Sequence, residues 1–207
     1  MQAAAIYILA VITANLTATL LIPFPLFGAV SIGTLIFGIT FTQRDRMHYR
    51  GRPFVYKVIL LSALLTMAAM LAFQFALGPP LAAACQSHGL TWLAHGWSLL
   101  LGNGPRVYAA SFTAIILAEA LDTEVYHRLR QRSWFTRVAG SNAVSVPADS
   151  LLFNLIAFAG AAGFAPLLIA QMIFGEITVK YTVGAAYGLL RPRRETPPTP
   201  TPQRPAP

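Results

Sequence analysis

Six apolar runs recur along this chain, and its arginines gather in every second gap between them. That alternation constrains the fold more than any other feature. A bilayer core is crossed by about 20 apolar residues in a helix. Lipid offers no partner to an open backbone group, so each run must close its own hydrogen bonds. The runs cover roughly 3–22, 26–42, 53–77, 107–126, 147–163 and 167–190. The first has the length of a signal peptide, but it lacks a positive start. Asn15 and several threonines inside it favour a span. The stretch 78–105 opens Gly-Pro-Pro and holds His88, His95, Trp92 and Trp97, which favours a loop or an interfacial helix over a seventh crossing.

Charge position sets orientation. Arg44, Arg46, Arg50, Arg52 and Lys57 lie in the second gap, Arg128, Arg130, Arg132 and Arg137 in the fourth, and Arg191, Arg193 and Arg194 after the sixth run. The other connections hold only Arg106. The positive-inside rule then puts both termini in the cytoplasm. The expected fold is all-α: an integral membrane bundle of six transmembrane helices over 1–190, followed by a disordered, proline-rich cytoplasmic tail at 191–207. Only 11% of residues are charged, where a soluble domain carries about a quarter. The expected location is the cytoplasmic (inner) membrane, as a multi-pass protein. The net charge of +8 therefore reports topology, and no nucleic-acid partner is expected.

Several chemistries lack their motifs. Cys85 is the single cysteine, which excludes an intramolecular disulfide and a thiolate zinc cluster. The four histidines form no H-E-x-x-H pattern, there is no phosphate loop, and no G-x-S-x-G elbow supports a nucleophilic enzyme. Neither an enzyme nor a bound metal or cofactor is expected.

The remaining candidates are polar groups within the apolar runs, where an acid at a helix centre costs about 2.5–3.5 kcal/mol and usually faces a cavity or a partner. In AEALDTEVYHRLR, Glu119, Asp122 and Tyr126 share one helical face, predicted to point inward and bind the substrate, with Asp122 the leading site residue. Glu124 lies on the opposite side with Arg128 one turn on, and reads as an interfacial pair. In SNAVSVPADS, the residues Asn142, Ser145 and Asp149 share a face if the helix is continuous. Pro147 instead favours a helix start there, with Asp149 complementing the dipole. Glu176 and Lys180 are one turn apart and form an ion pair or a gate. Asn15 can bond across helices, and Asp45 can neutralise its arginine neighbours.

Together LDTEVYHRLRQ, Ser145 followed by DSLLFNLIAF, the Gly33 to Asp45 spacing and the Glu176–Lys180 pair resemble the VUT family of queuosine-precursor transporters, over about 15–180. The resemblance implies a six-helix protein related in fold to the substrate-binding subunits of energy-coupling-factor transporters. It also implies import of 7-deazaguanines such as preQ0 and preQ1, and it points to Asn15, Asp45, Asp122, Asp149, Glu176 and Lys180. Such a base presents a ring N–H and an amine side by side, which one carboxylate can accept. A capture subunit served by a separate energy-coupling module, a homo-oligomer, and a non-transporting membrane enzyme or assembly factor are the alternatives. Ala14 and Ala18 would suit close packing against a partner helix.

Overall fold

The computed structural model describes residues 1–24 and 28–190; the expected tail at 191–207 lies outside them. Helix α1 (Gln2–Leu16) is followed by strands β1 (Leu21–Phe24) and β2 (Gly28–Ser31) and by α2 (Ile32–His48). Then come α3 (Arg52–Ala72), a π turn (Phe73–Leu77), α4 (Gly78–Ser87), α5 (Thr91–Gly102), α6 (Gly104–Arg128), α7 (Trp134–Phe158) and α8 (Pro166–Leu190). The chain is mostly helical, as expected.

The hairpin corrects the all-α expectation. Leu21 pairs with Ser31 and Phe24 with Gly28, antiparallel, and the Ile32 amide donates to the Leu20 carbonyl at 2.9 Å. Gly28 has a φ of 69°, which suits a residue without Cβ as the chain folds back. As a result α1 ends six residues before the apolar run does. Helix α2 starts later than its run and extends to His48, and this shift carries Arg44, Asp45 and His48 into the bundle. Ser31 caps α2, accepting from the Gly33 amide at 3.0 Å while its hydroxyl reaches the Thr17 carbonyl at 3.3 Å. A Cβ on Gly33 would lie 2.1 Å from the Ala14 carbonyl oxygen, so the two backbones cross in contact. Ala14 and Ala18 are buried inside this bundle, not displayed to a partner helix.

Two further expectations change. Pro79 and Pro80 do not end the third helix: lacking N–H groups, they leave the carbonyls one turn back without donors. The helix widens into the π turn, with the Gly78 amide donating to the Phe73 carbonyl, and continues as one rod over Arg52–Ser87. Helix α5 follows, so 78–105 is helical apart from short turns at 88–90 and 103, and the loop alternative fails. Thr19 donates to the Gly96 carbonyl at 2.9 Å and Trp92 Nε1 to the Leu21 carbonyl at 2.8 Å, which pins α5 to the hairpin.

Helix α7 starts at Trp134 and runs through Pro147, where a helix start was expected. The lost bond at Pro147 is outweighed by the packing of α7 along α6 and α8. Asp149 accordingly sits deep in the helix, remote from the N-terminal dipole.

Arg52–Ser87 and Pro166–Ala186 are long and apolar enough to cross a membrane, and Gln2–Leu16 is apolar but shorter. Leu61, Leu64, Phe75, Leu155 and Phe174 face outward, with Phe75 81% exposed. In water so large an apolar surface would drive association; against lipid it is the solvated face.

Candidate functional site

Ionisable side chains occupy the interior and form two clusters. The first lies toward the C-terminal end of α2. Arg44, 2% exposed, places Nη1 3.1 Å from Glu119, Nε 2.9 Å from Asp122 and Nη2 2.6 Å from the Asn142 side-chain oxygen. Ser145 donates to Asp122 Oδ1 at 3.1 Å, and His48 Nε2 lies 3.5 Å from Oδ2. The His48 ring stacks on Tyr126, with centroids 3.9 Å apart and planes 10° from parallel. Asp45 is buried on α2 next to Arg44. Glu119, Asp122 and Tyr126 thus share the inward face that their spacing predicted, and Asn142 and Ser145 approach it from the continuous α7.

Arg44 and His48 are the residues that sequence reasoning misplaced, by leaving them among solvated arginines. Phe37, Phe41, Arg44 and His48 follow i, i+4, i+7, i+11, one helical face, and that spacing was the available signal.

The second cluster lies nearer the hairpin. Lys180 Nζ donates to Asp149 at 2.7 Å, to the Ser150 hydroxyl at 2.9 Å and to Glu176 at 3.3 Å. The ammonium also sits 5.4 Å from the centroid of the Phe37 ring. The Glu176–Lys180 pair is therefore part of a group of three ionisable side chains, with Asp149 closest to the ammonium. Phe37, Asp149, Glu176 and Lys180 line a cavity of about 40 Å³ with Asn15, Ser31, Gly33, Thr34, Ser111 and Phe153. Asn15 does not bond across helices: its amide donates to the Val11 carbonyl of its own helix at 2.8 Å. Between the clusters, Phe37, Phe41, Arg44, Glu119 and Asp149 surround a crevice too narrow for water.

Glu124 stands apart from both. It accepts from Arg52 and Tyr56 of α3, not from Arg128, at the edge of the bundle. Its side chain is 30% exposed, and its partners differ from the Arg128 pairing that the sequence suggested.

Both clusters offer hydrogen-bonding groups held rigidly between helices, surrounded by an apolar exterior. Fold and interior together define a helical bundle with an apolar exterior and ionisable groups inside it. Residues 31–189 match the family model described as "Putative vitamin uptake transporter", and the chain belongs to that family. The match starts at Ser31, so α1 and its Asn15 precede it. No curated protein and no solved structure matches the chain.

Proposed function

We propose that this protein imports 7-deazaguanines such as preQ0 and preQ1 across the cytoplasmic membrane. In this reading six helices cross the bilayer, both termini are cytoplasmic, and the hairpin faces outward. The cavity at Asn15, Asp149, Glu176 and Lys180 takes the substrate, and the Arg44 cluster is the closed gate on the cytoplasmic side.

The observation that carries the reading is the donor and acceptor set of that cavity. A carboxylate such as Asp149 matches the paired N–H groups of a guanine edge, Asn15 can meet the ring carbonyl, and Phe37 and Phe153 offer faces for a planar ring. Lys180 donates to both carboxylates, and a base would have to displace it from Asp149. A cavity of about 40 Å³ holds little more than water. In this reading the helices part to admit a heterocycle. Asp122, the acid favoured by its sequence context, has both oxygens engaged by Arg44, His48 and Ser145, which suits it to gating.

Transport, not catalysis, is the activity to test. In cells unable to make the precursor and supplied with preQ1, queuosine in tRNA reports import. Asp149→Asn should lower import at limiting preQ1 by about 10-fold or more, as expected for one lost charge-assisted bond. Glu124→Gln should leave it unchanged. Undiminished import by Asp149→Asn at normal membrane levels would refute the assignment.

A further inference from the structure

Where α3 begins and α6 ends, Gly51, Arg52, Glu124, His127, Arg128 and Arg130 line an open basin of about 480 Å³. None of them belongs to the solute cavity. The charges in the basin are unbalanced, because three guanidinium groups face one carboxylate, and that carboxylate already accepts from Arg52 and Tyr56. Among the described residues no acid forms an ion pair with Arg128 or Arg130. Helix α3 adds to the imbalance, since Gly51 gives it no side-chain cap and its first turn holds no acid to offset the positive end of the dipole. The basin is therefore short of an anion. Arginine favours phosphate, whose oxygens take parallel N–H bonds from the planar group.

The surface beside the basin separates a lipid phosphate from a free one. Leu117, Leu121, Glu124 and Arg128 follow i, i+4, i+7, i+11, one face of α6, and Leu117, Leu121 and Arg128 are exposed on it. On α3, which packs against α6, Arg52, Tyr56 and Leu60 follow i, i+4, i+8, and Leu60 is exposed as well. Each helix thus carries an outward leucine track that ends in arginine at one rim. A dissolved anion has no use for the leucines. A phospholipid lays its chains along them and brings its phosphate to the arginine end, where Tyr56 stands at the depth that tyrosines favour in a bilayer.

From this charge count and these two tracks, we infer that the basin binds the headgroup phosphate of one anionic phospholipid of the cytoplasmic leaflet, with Arg128 and Arg130 as its contacts and an acyl chain along Leu117 and Leu121. The inference rests on the bilayer placement and orientation proposed above, not on the solute. Arg52 stays with Glu124 and joins α3 to α6 beneath the headgroup. A zwitterionic lipid carries the same phosphate, but its ammonium group is repelled by the arginines, so the net charge of the headgroup decides which lipid is held.

Lipid binding to the full chain, purified in an uncharged detergent, tests this with phosphatidylglycerol, phosphatidylcholine and inorganic phosphate as probes. Wild type should bind phosphatidylglycerol about tenfold or more tightly than phosphatidylcholine, and added salt should weaken that preference. The double variant Arg128→Gln, Arg130→Gln should lose the tightest phosphatidylglycerol, with affinity falling about tenfold or more. Arg106→Gln, a change outside the basin, should keep it. Equal binding of the two lipids by wild type overturns the inference without recourse to any variant, and so does an unchanged preference in a folded double variant. Displacement of the bound phosphatidylglycerol by millimolar inorganic phosphate marks a site for the free ion and overturns the lipid assignment. A protein that prefers phosphatidylglycerol through Arg128 and Arg130 yet binds no deazaguanine keeps the basin and loses the transport reading.

Discussion

Arg44 shows what one residue contributes to this interior. Its guanidinium lies between Glu119 and Asp122 with Asn142 beneath, so removing it alone leaves two acids facing each other without a cation. Arg44→Met should cost about 3–5 kcal/mol, read as a lower unfolding temperature in detergent. Combining it with Glu119→Gln and Asp122→Asn should recover most of the loss. A single variant as stable as wild type would mean that the cluster does not hold the helices. Sequence reasoning placed Glu119, Asp122 and Tyr126 together because acids are rare in an apolar helix and their spacing fixes a face. It missed Arg44 and His48 because an arginine-rich run has the same composition whether its side chains point to water or inward. Their long-range partners are set only when α2 starts at Ile32.

The hairpin and the helix contacts it creates decide the shape of the cavity. At Gly33 the backbones of α1 and α2 touch, and a methyl group there meets a carbonyl, not a side chain that can move. Gly33→Ala should therefore destabilise by about 1–3 kcal/mol and reduce substrate binding with it. A melting curve matching wild type would show that the helices have room to separate. At Gly96 a Cβ would fall 2.4 Å from the Leu20 side chain, where α5 seats against the hairpin. Gly96→Val should weaken that seat and increase proteolysis in 78–102; unchanged cleavage would contradict the docking. These features were not legible because hydropathy reports burial in lipid, not backbone contact. The short strands lie inside apolar runs, and the prolines at 79, 80 and 147 favour breaks that tertiary packing overrides.

At the scale of the molecule the alternating arginines make a claim about sidedness that can be read in cells. In a Cys85→Ser background, Gln86→Cys should react with an impermeant maleimide from outside, and Gln131→Cys only after permeabilisation. The reverse pattern would invert the topology and turn the hairpin end toward the cytoplasm. The outline of the bundle was legible because apolar length and arginine position are properties of segments. The division of its polar residues into two clusters depends on which helices touch, and no local pattern carries that.

The central claim is that the cavity holds a guanine-like edge, and equilibrium binding to the purified protein tests it most directly. With preQ0, preQ1, queuine, guanine and adenine as ligands, a deazaguanine should bind and adenine should not, because the adenine edge leaves a buried carboxylate unpaired. Asp149→Asn should weaken binding by about tenfold or more, while Glu124→Gln should leave it unchanged. Equal binding of adenine and preQ1, or full affinity in Asp149→Asn, would contradict the account.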